Sequence, residues 1–78
     1  YGLTLDDWDQ MVIGQLGCCA ICGEAPLELH IDHCHETDVV RGLLCTNCNN
    51  GLGRFADDPA RLRAAADYIE KYRRDSAA

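Results

Sequence analysis

The first 38 residues contain neither lysine nor arginine, while they carry eight aspartates and glutamates. The whole chain of 78 residues has a formal net charge of −6. That balance argues against a simple nucleic-acid binder, whose affinity comes largely from phosphate neutralisation. Residues 39–78 hold seven bases against five acids, so any contact with DNA must rest on that half and on bound metal ions. Long apolar runs are missing too: nothing approaches the ~20 residues of a membrane helix. The opening "YGLTLDDWDQ" offers neither the basic start nor the apolar stretch of a secretory signal. The first residue is not Met, which fits a processed, trimmed or excised piece. No repeat, linker or low-complexity segment breaks the chain, so residues 1–78 are read as a single domain. It lies near the lower size limit for a self-sufficient hydrophobic core.

Against these absences stand six cysteines and three histidines. Six cysteines in a short chain suit a disulfide framework. Two CxxC pairs without an export signal in a reducing cytosol favour zinc instead. Cys19-x-x-Cys22 and Cys45-x-x-Cys48 are separated by 22 residues, enough for a hairpin between two knuckles. Four thiolates in tetrahedral array are a common structural zinc set, and such a site contributes about 10 to 16 kcal/mol in small fingers. Cys18 is read as a buried neighbour. Cys34, between two histidines, is an alternative ligand.

Around the knuckles the chain reads as helix, knuckle, hairpin, short helix, long helix. Thr4 begins a helix, with Asp6 and Asp7 in its first turn. Leu5, Trp8, Val12 and Leu16 recur at helical spacing as a packing stripe, and Gly17 is a natural stop. "LELHIDH" alternates as a strand burying Leu27, Leu29 and Ile31; "ETD" turns, and "VVRGLL" (39–44) returns. "CTNCNNGLGRF" reads as a short helix ending near Gly53. Asp58 and Pro59 start a last helix whose Leu62, Ala65 or Ala66, Ile69 and Tyr72 form one packing stripe.

Zinc leaves Asp32, His33, His35 and Asn49 unexplained. The hairpin should bring Asp32 and His33 against the helix that carries Asn49. A carboxylate and an amide carbonyl are hard oxygen ligands suited to Mg²⁺ or Mn²⁺. A neighbouring imidazole can take a proton from water. Those parts suffice to hydrolyse a phosphodiester.

The segments "YGLT", "CAICG", "IDHCHETD", "VRGLLC" and "CNNGLG" resemble the recombination endonuclease VII family of HNH, or ββα-metal, nucleases. The likeness runs from Tyr1 to about Tyr72, and "DHCH" followed by "RGLLCxxCN" is its specific part. It implies a small zinc-stapled α+β domain of treble-clef-like, ββα-metal form with flanking helices. It further implies a structural zinc on Cys19, Cys22, Cys45 and Cys48, and one catalytic Mg²⁺ or Mn²⁺ on Asp32 and Asn49. His33 would be the general base, and His35 would contact the scissile phosphate or assist the leaving group. His30 has no assigned role. Arg41 and Arg54 flank the site as candidate phosphate contacts. Two departures stand out: Leu52 occupies a position that is acidic in some relatives, and the turn often written Thr-Gly is Thr37-Asp38. The expected partner is DNA in the cytoplasm of a bacterial or phage-infected cell, with a monomer favoured over a dimer. Two rival readings remain: a non-catalytic zinc-finger module binding nucleic acid or protein, and a branched-DNA (Holliday junction) resolvase.

Overall fold

A computed structural model describes residues 3–77, with side chains through residue 73. Its element order is α1 (Leu5–Gly14), β1 (His30–His33), β2 (Val40–Leu44), α2 (Thr46–Arg54) and α3 (Pro59–Ala77). The α+β class is as expected. α1 starts with a reciprocal cap: the Asp7 N–H donates to Thr4 Oγ1 and the Thr4 N–H to Asp7 Oδ2, both at 3.1 Å. The regular helix ends at Gly14, and Leu16 and Gly17 then take left-handed conformations with φ of 55° and 70°.

The expected α1 stripe needs correction. Leu5 and Leu16 are 83% and 85% exposed. Leu16 lies past the last helical turn, where the 3.6-residue period no longer holds. The half-buried positions are Trp8, Met11, Val12 and Gln15. Gln15 joins the helix to the sheet: its Nε2 donates to Cys18 O at 2.7 Å and to Leu43 O at 2.9 Å, and its Oε1 accepts from Leu43 N at 2.9 Å. One amide thus pairs with the outer edge of β2 as a third strand would. Gly42 permits this approach, since a Cβ there would stand 3.3 Å from Gln15 Oε1.

β1 and β2 form an antiparallel hairpin in which His30 faces Leu44, Ile31 faces Leu43, Asp32 faces Gly42 and His33 faces Val40. Arg41 is therefore the extra residue of a bulge. At the tip, Asp38 has φ of 62° and its N–H donates to Cys34 O at 2.7 Å. Asp is among the few non-glycine residues that tolerate this conformation, which explains how Thr37-Asp38 replaces Thr-Gly. The first strand is shorter than expected, and Leu27 is fully exposed. β2 gives way to Cys45 just after the His30–Leu44 pair, so residues 27–29 have no backbone to pair with.

Among the described residues the buried hydrophobics are Cys19, Leu43, Leu44 and Cys45; Leu29, Cys48 and Leu52 pack against the cluster of Cys19, Leu44 and Cys45. Half of that core is cysteine. α3 begins as expected, with Asp58 Oδ1 accepting from Ala60 N at 3.0 Å. Its stripe packs only at the start: Leu62 and Ala65 are half-buried, whereas Ile69 and Tyr72 are 49% and 52% exposed. The helix extends beyond the body it springs from, within overall dimensions of 51 × 27 × 16 Å. Cys18 is half-buried rather than buried.

Gln15→Ala removes three hydrogen bonds and leaves the N–H of fully buried Leu43 without its acceptor. A loss of about 2 kcal/mol is expected, the usual cost of an orphaned buried group. Denaturant unfolding of the zinc-loaded protein checks it. Gln15→Glu should do no better, because a carboxylate cannot donate to the Cys18 and Leu43 carbonyls.

Candidate functional site

The two CxxC pairs converge at the end of the hairpin. The sulfurs of Cys19, Cys22, Cys45 and Cys48 all lie within 4.8 Å of one another, and Cys22 Sγ is 3.8 Å from Cys45 Sγ. A zinc tetrahedron with Zn–S near 2.3 Å has edges of about 3.8 Å, so the donor set and spacing fit that ion. Backbone N–H groups already point at the sulfurs: Ile21 N to Cys19 Sγ and Cys48 N to Cys45 Sγ, both at 3.4 Å. The second of these makes Cys45 the N-cap of α2. No disulfide joins any of the six cysteines, and neither Cys18 nor Cys34 belongs to the four-sulfur group.

Crowding spreads the acidities of these thiols. Burial opposes ionisation of Cys19, but backbone donors from Cys45, Cys22 and Ile21 outweigh it and bring the thiol down to about 6. Cys48 is pushed up to about 12, first by its hydrogen bond with Cys45 and then by burial. The group thus favours one thiolate ahead of its neighbours until a cation compensates the rest.

Beside this centre lies an open cleft of about 580 Å³, lined by Asp32, His35, Arg41, Asn49 and Asp57 among others. Asp32 comes from β1, Asn49 from the second turn of α2, and Asp57 from the link between α2 and α3. The hairpin and α2 therefore bring Asp32, His35 and Asn49 to one concavity. His33 does not line it but stands alongside, its ring 5.2 Å from that of His35 in an edge-on arrangement. His30 bonds through Nε2 to Thr46 Oγ1 at 2.9 Å, tying β1 to the first turn of α2. Arg54 is exposed in the last turn of α2 and is not part of the cleft lining.

Arg41 occupies the cleft between two carboxylates. Its Nε and Nη2 bond Asp32 at 2.7 and 3.0 Å, while Nη1 and Nη2 bond Asp57 at 3.0 and 2.9 Å. The guanidinium is held more firmly protonated by Asp32 and Asp57, and Arg41 in turn draws the Asp57 carboxyl below its ordinary range. Sequence reasoning missed Asp57 and Gln15. Asp57 adjoins the Asp58 helix cap, and only its surplus charge marks it in the sequence. Gln15 was legible as a polar residue seven positions after Trp8, on the face the helix buries.

Fold and site together define a small α+β domain built on four cysteines positioned to bind a metal, with a carboxylate, amide and imidazole cleft beside them. The chain belongs to the recombination endonuclease VII family, whose model matches residues 1–71. Gene 59 proteins of Mycobacterium phages D29 and L5 are each 41% identical to it, over 75 and 73 residues. These alignments cover 91% and 88% of this chain but 46% and 44% of the relatives, so the chain spans just under half their length. No solved structure matches it. Among the described residues, no helix is long and apolar enough to cross a membrane.

One zinc per chain is expected by elemental mass spectrometry. Cys48→Ser should lose zinc and cooperative melting together, because metal affinity is folding free energy in a domain of this kind. The pH dependence has a definite sign. Cys22 is raised and Cys48 sits at about 12, so both keep their protons at neutral pH until a metal displaces them. Zinc uptake should release protons, and affinity should fall as pH falls, measured by competition with a chelator.

Proposed function

We propose that this domain is a metal-dependent DNA endonuclease of HNH type. Its Asp32 carboxylate and Asn49 side-chain carbonyl would hold one Mg²⁺ or Mn²⁺. The observation that carries the reading is the meeting of Asp32, His35 and Asn49 in one cleft beside the cysteine centre, in a chain of the endonuclease VII family. Hard oxygen donors suit those cations, and the two sites are distinct in chemistry. When bound, the cation supplies positive charge against the charge developing on the leaving 3′ oxygen.

The remaining work falls to the chain itself. His33 takes a proton from water, whose oxygen attacks the phosphorus in line with the bond to be broken. The P–O3′ bond breaks, giving a 5′-phosphate and, after the leaving oxygen takes up a proton, a 3′-hydroxyl. His35 contacts the scissile phosphate or assists the leaving group. Arg54 is exposed and reaches flanking phosphates; Arg41 does so once it is released from its carboxylates. Cys45 and Cys48, which would hold the structural metal, fix the direction of α2 and with it Asn49, and so shape the cleft.

His33→Ala should fold, keep zinc and bind Mn²⁺, yet lose about 10² to 10⁴ in plasmid nicking, the usual worth of a general base. Asp32→Ala and Asn49→Ala should lose activity through weaker cation binding, in part restored by more metal. Nicking, zinc content and thermal melting on the same variants test the proposal. A His33→Ala protein that loses zinc and melts early would make the histidine structural and sink the nuclease reading; parental nicking would pass the base role to His35. Branched and linear duplexes assayed side by side separate a general nuclease from a resolvase, and no cleavage of either with Mg²⁺ or Mn²⁺ would leave a binding module.

DNA binding by so acidic a domain should be weak and depend on salt and divalent cation. Arg54→Ala should lower affinity at low salt and flatten the salt dependence, by roughly one unit of slope if it neutralises one phosphate. Electrophoretic mobility or anisotropy titrations at several salt concentrations check this.

A further inference from the structure

We infer that Asp57 is a positioning residue for the nuclease site: it draws Arg41 away from Asp32, so that the Asp32 carboxylate can exchange a guanidinium for a divalent cation. The inference rests on the nuclease reading above and names a residue that reading does not use. Three features of the backbone and side chains carry it.

The first is competition at Asp32. That side chain is only 12% exposed, and both its oxygens already accept from Arg41, at 2.7 and 3.0 Å. A divalent cation on the same carboxylate would stand close to the guanidinium, and like charges at such a distance in a partly enclosed site repel strongly. Arg41 must yield for the cation to bind. The second is that Arg41 has somewhere to go. Asp57 offers a bidentate seat at 2.9 and 3.0 Å, and one nitrogen, Nη2, is shared between the two carboxylates. Sliding toward Asp57 breaks the bonds to Asp32 without exposing an unpaired arginine or ejecting it into solvent.

The third feature is that the backbone is shaped on both sides of this contact. Arg41 is the extra residue of the β2 bulge, and bulges re-aim side chains beside functional sites. On the other side, Ala56 and Asp57 take left-handed conformations in succession, with φ of 55° and 56°. Two adjacent non-glycine residues in that region cost free energy, which is held only where surrounding contacts enforce it. The Asp57 N–H returns to Leu52 O at 2.8 Å, fastening this kink to α2, the helix that carries Asn49. The carboxylate that receives Arg41 and the amide proposed to hold the cation are therefore anchored to one element.

The test is Mn²⁺ binding to the zinc-loaded protein without DNA, by calorimetry and by electron paramagnetic resonance of free Mn²⁺. Asp57→Asn suits the purpose because Asn tolerates the left-handed backbone while removing the charge. With Arg41 left to Asp32 alone, this variant should bind Mn²⁺ roughly 3- to 30-fold more weakly, a typical coupling for contacting residues. Arg41→Gln should bind it more tightly, since the competitor is gone. In the double variant, Asp57→Asn should make no further difference. Asp57→Glu should restore most of the affinity, and Asp57→Gly, which accepts the left-handed backbone and lacks the carboxylate, carries the comparison if the Asn variant fails to keep zinc and its melting temperature.

A purely structural role would move the Asp57 and Arg41 variants in the same direction, and that result overturns the inference. So does an Asp57→Asn loss of equal size with and without Arg41, which would make Asp57 a direct ligand or a bare field. Failure of the parent reading looks different: the parental protein would bind no Mn²⁺, or Asp32→Asn would bind it unchanged.

Discussion

Four sulfurs within 4.8 Å of one another are the constraint from which the rest of this domain follows. A chain this short buries little apolar surface against the entropy of ordering itself and is marginal without a staple. Here the core is so small that Cys19 and Cys45 make up half of its buried residues, beside Leu43 and Leu44. The candidate metal site and the hydrophobic cluster thus share Cys19, Cys45 and Cys48. Each pair of cysteines closes a different part of the chain onto that site: the first holds the turn after α1, and the second holds the end of β2 and the start of α2.

The cleft is a consequence of that junction. Cys45 ends the returning strand and caps α2, so the direction of α2 is set where the sheet stops. His30, bonded to Thr46, fixes the same helix from the other strand. With both strands tied to α2, Asn49 and Asp32 come to line the same cleft. Gln15 adds the remaining restraint, occupying the hydrogen-bonding groups of Leu43 that the two-stranded sheet leaves open.

What could be seen in the sequence was local chemistry at fixed spacing. The paired cysteines, the Thr4 and Asp58 caps and the hairpin turn each depend on a few neighbouring residues, and each appears where expected. Periodicity served less well. Leu5, Leu16, Leu27 and Tyr72 obey helix or strand patterns but face solvent, because so small a body has no second layer to cover them. The Arg41 bridge was illegible for another reason. It joins residues 9 and 16 positions apart through a bulge and a left-handed kink, neither of which has a sharp signature in residue type. The placement of His33 outside the cleft lining follows from plain alternation along β1, which puts its neighbours Asp32 and Cys34 on the cleft side instead.

The sulfur of Cys45 does two jobs, as one of four candidate metal donors and as the acceptor for the Cys48 amide in the first turn of α2, while its carbonyl receives the Asn49 N–H at 3.0 Å. The four cysteines are therefore unequal before substitution. An imidazole at position 22, on an exposed knuckle, gives up a backbone contact with Glu24 in a loop but uncaps no helix. An imidazole at position 45 uncaps the helix that presents Asn49. Histidine-for-cysteine drift should therefore be tolerated at one corner of the tetrahedron and refused at another, an asymmetry that a saturation scan of the four positions would expose.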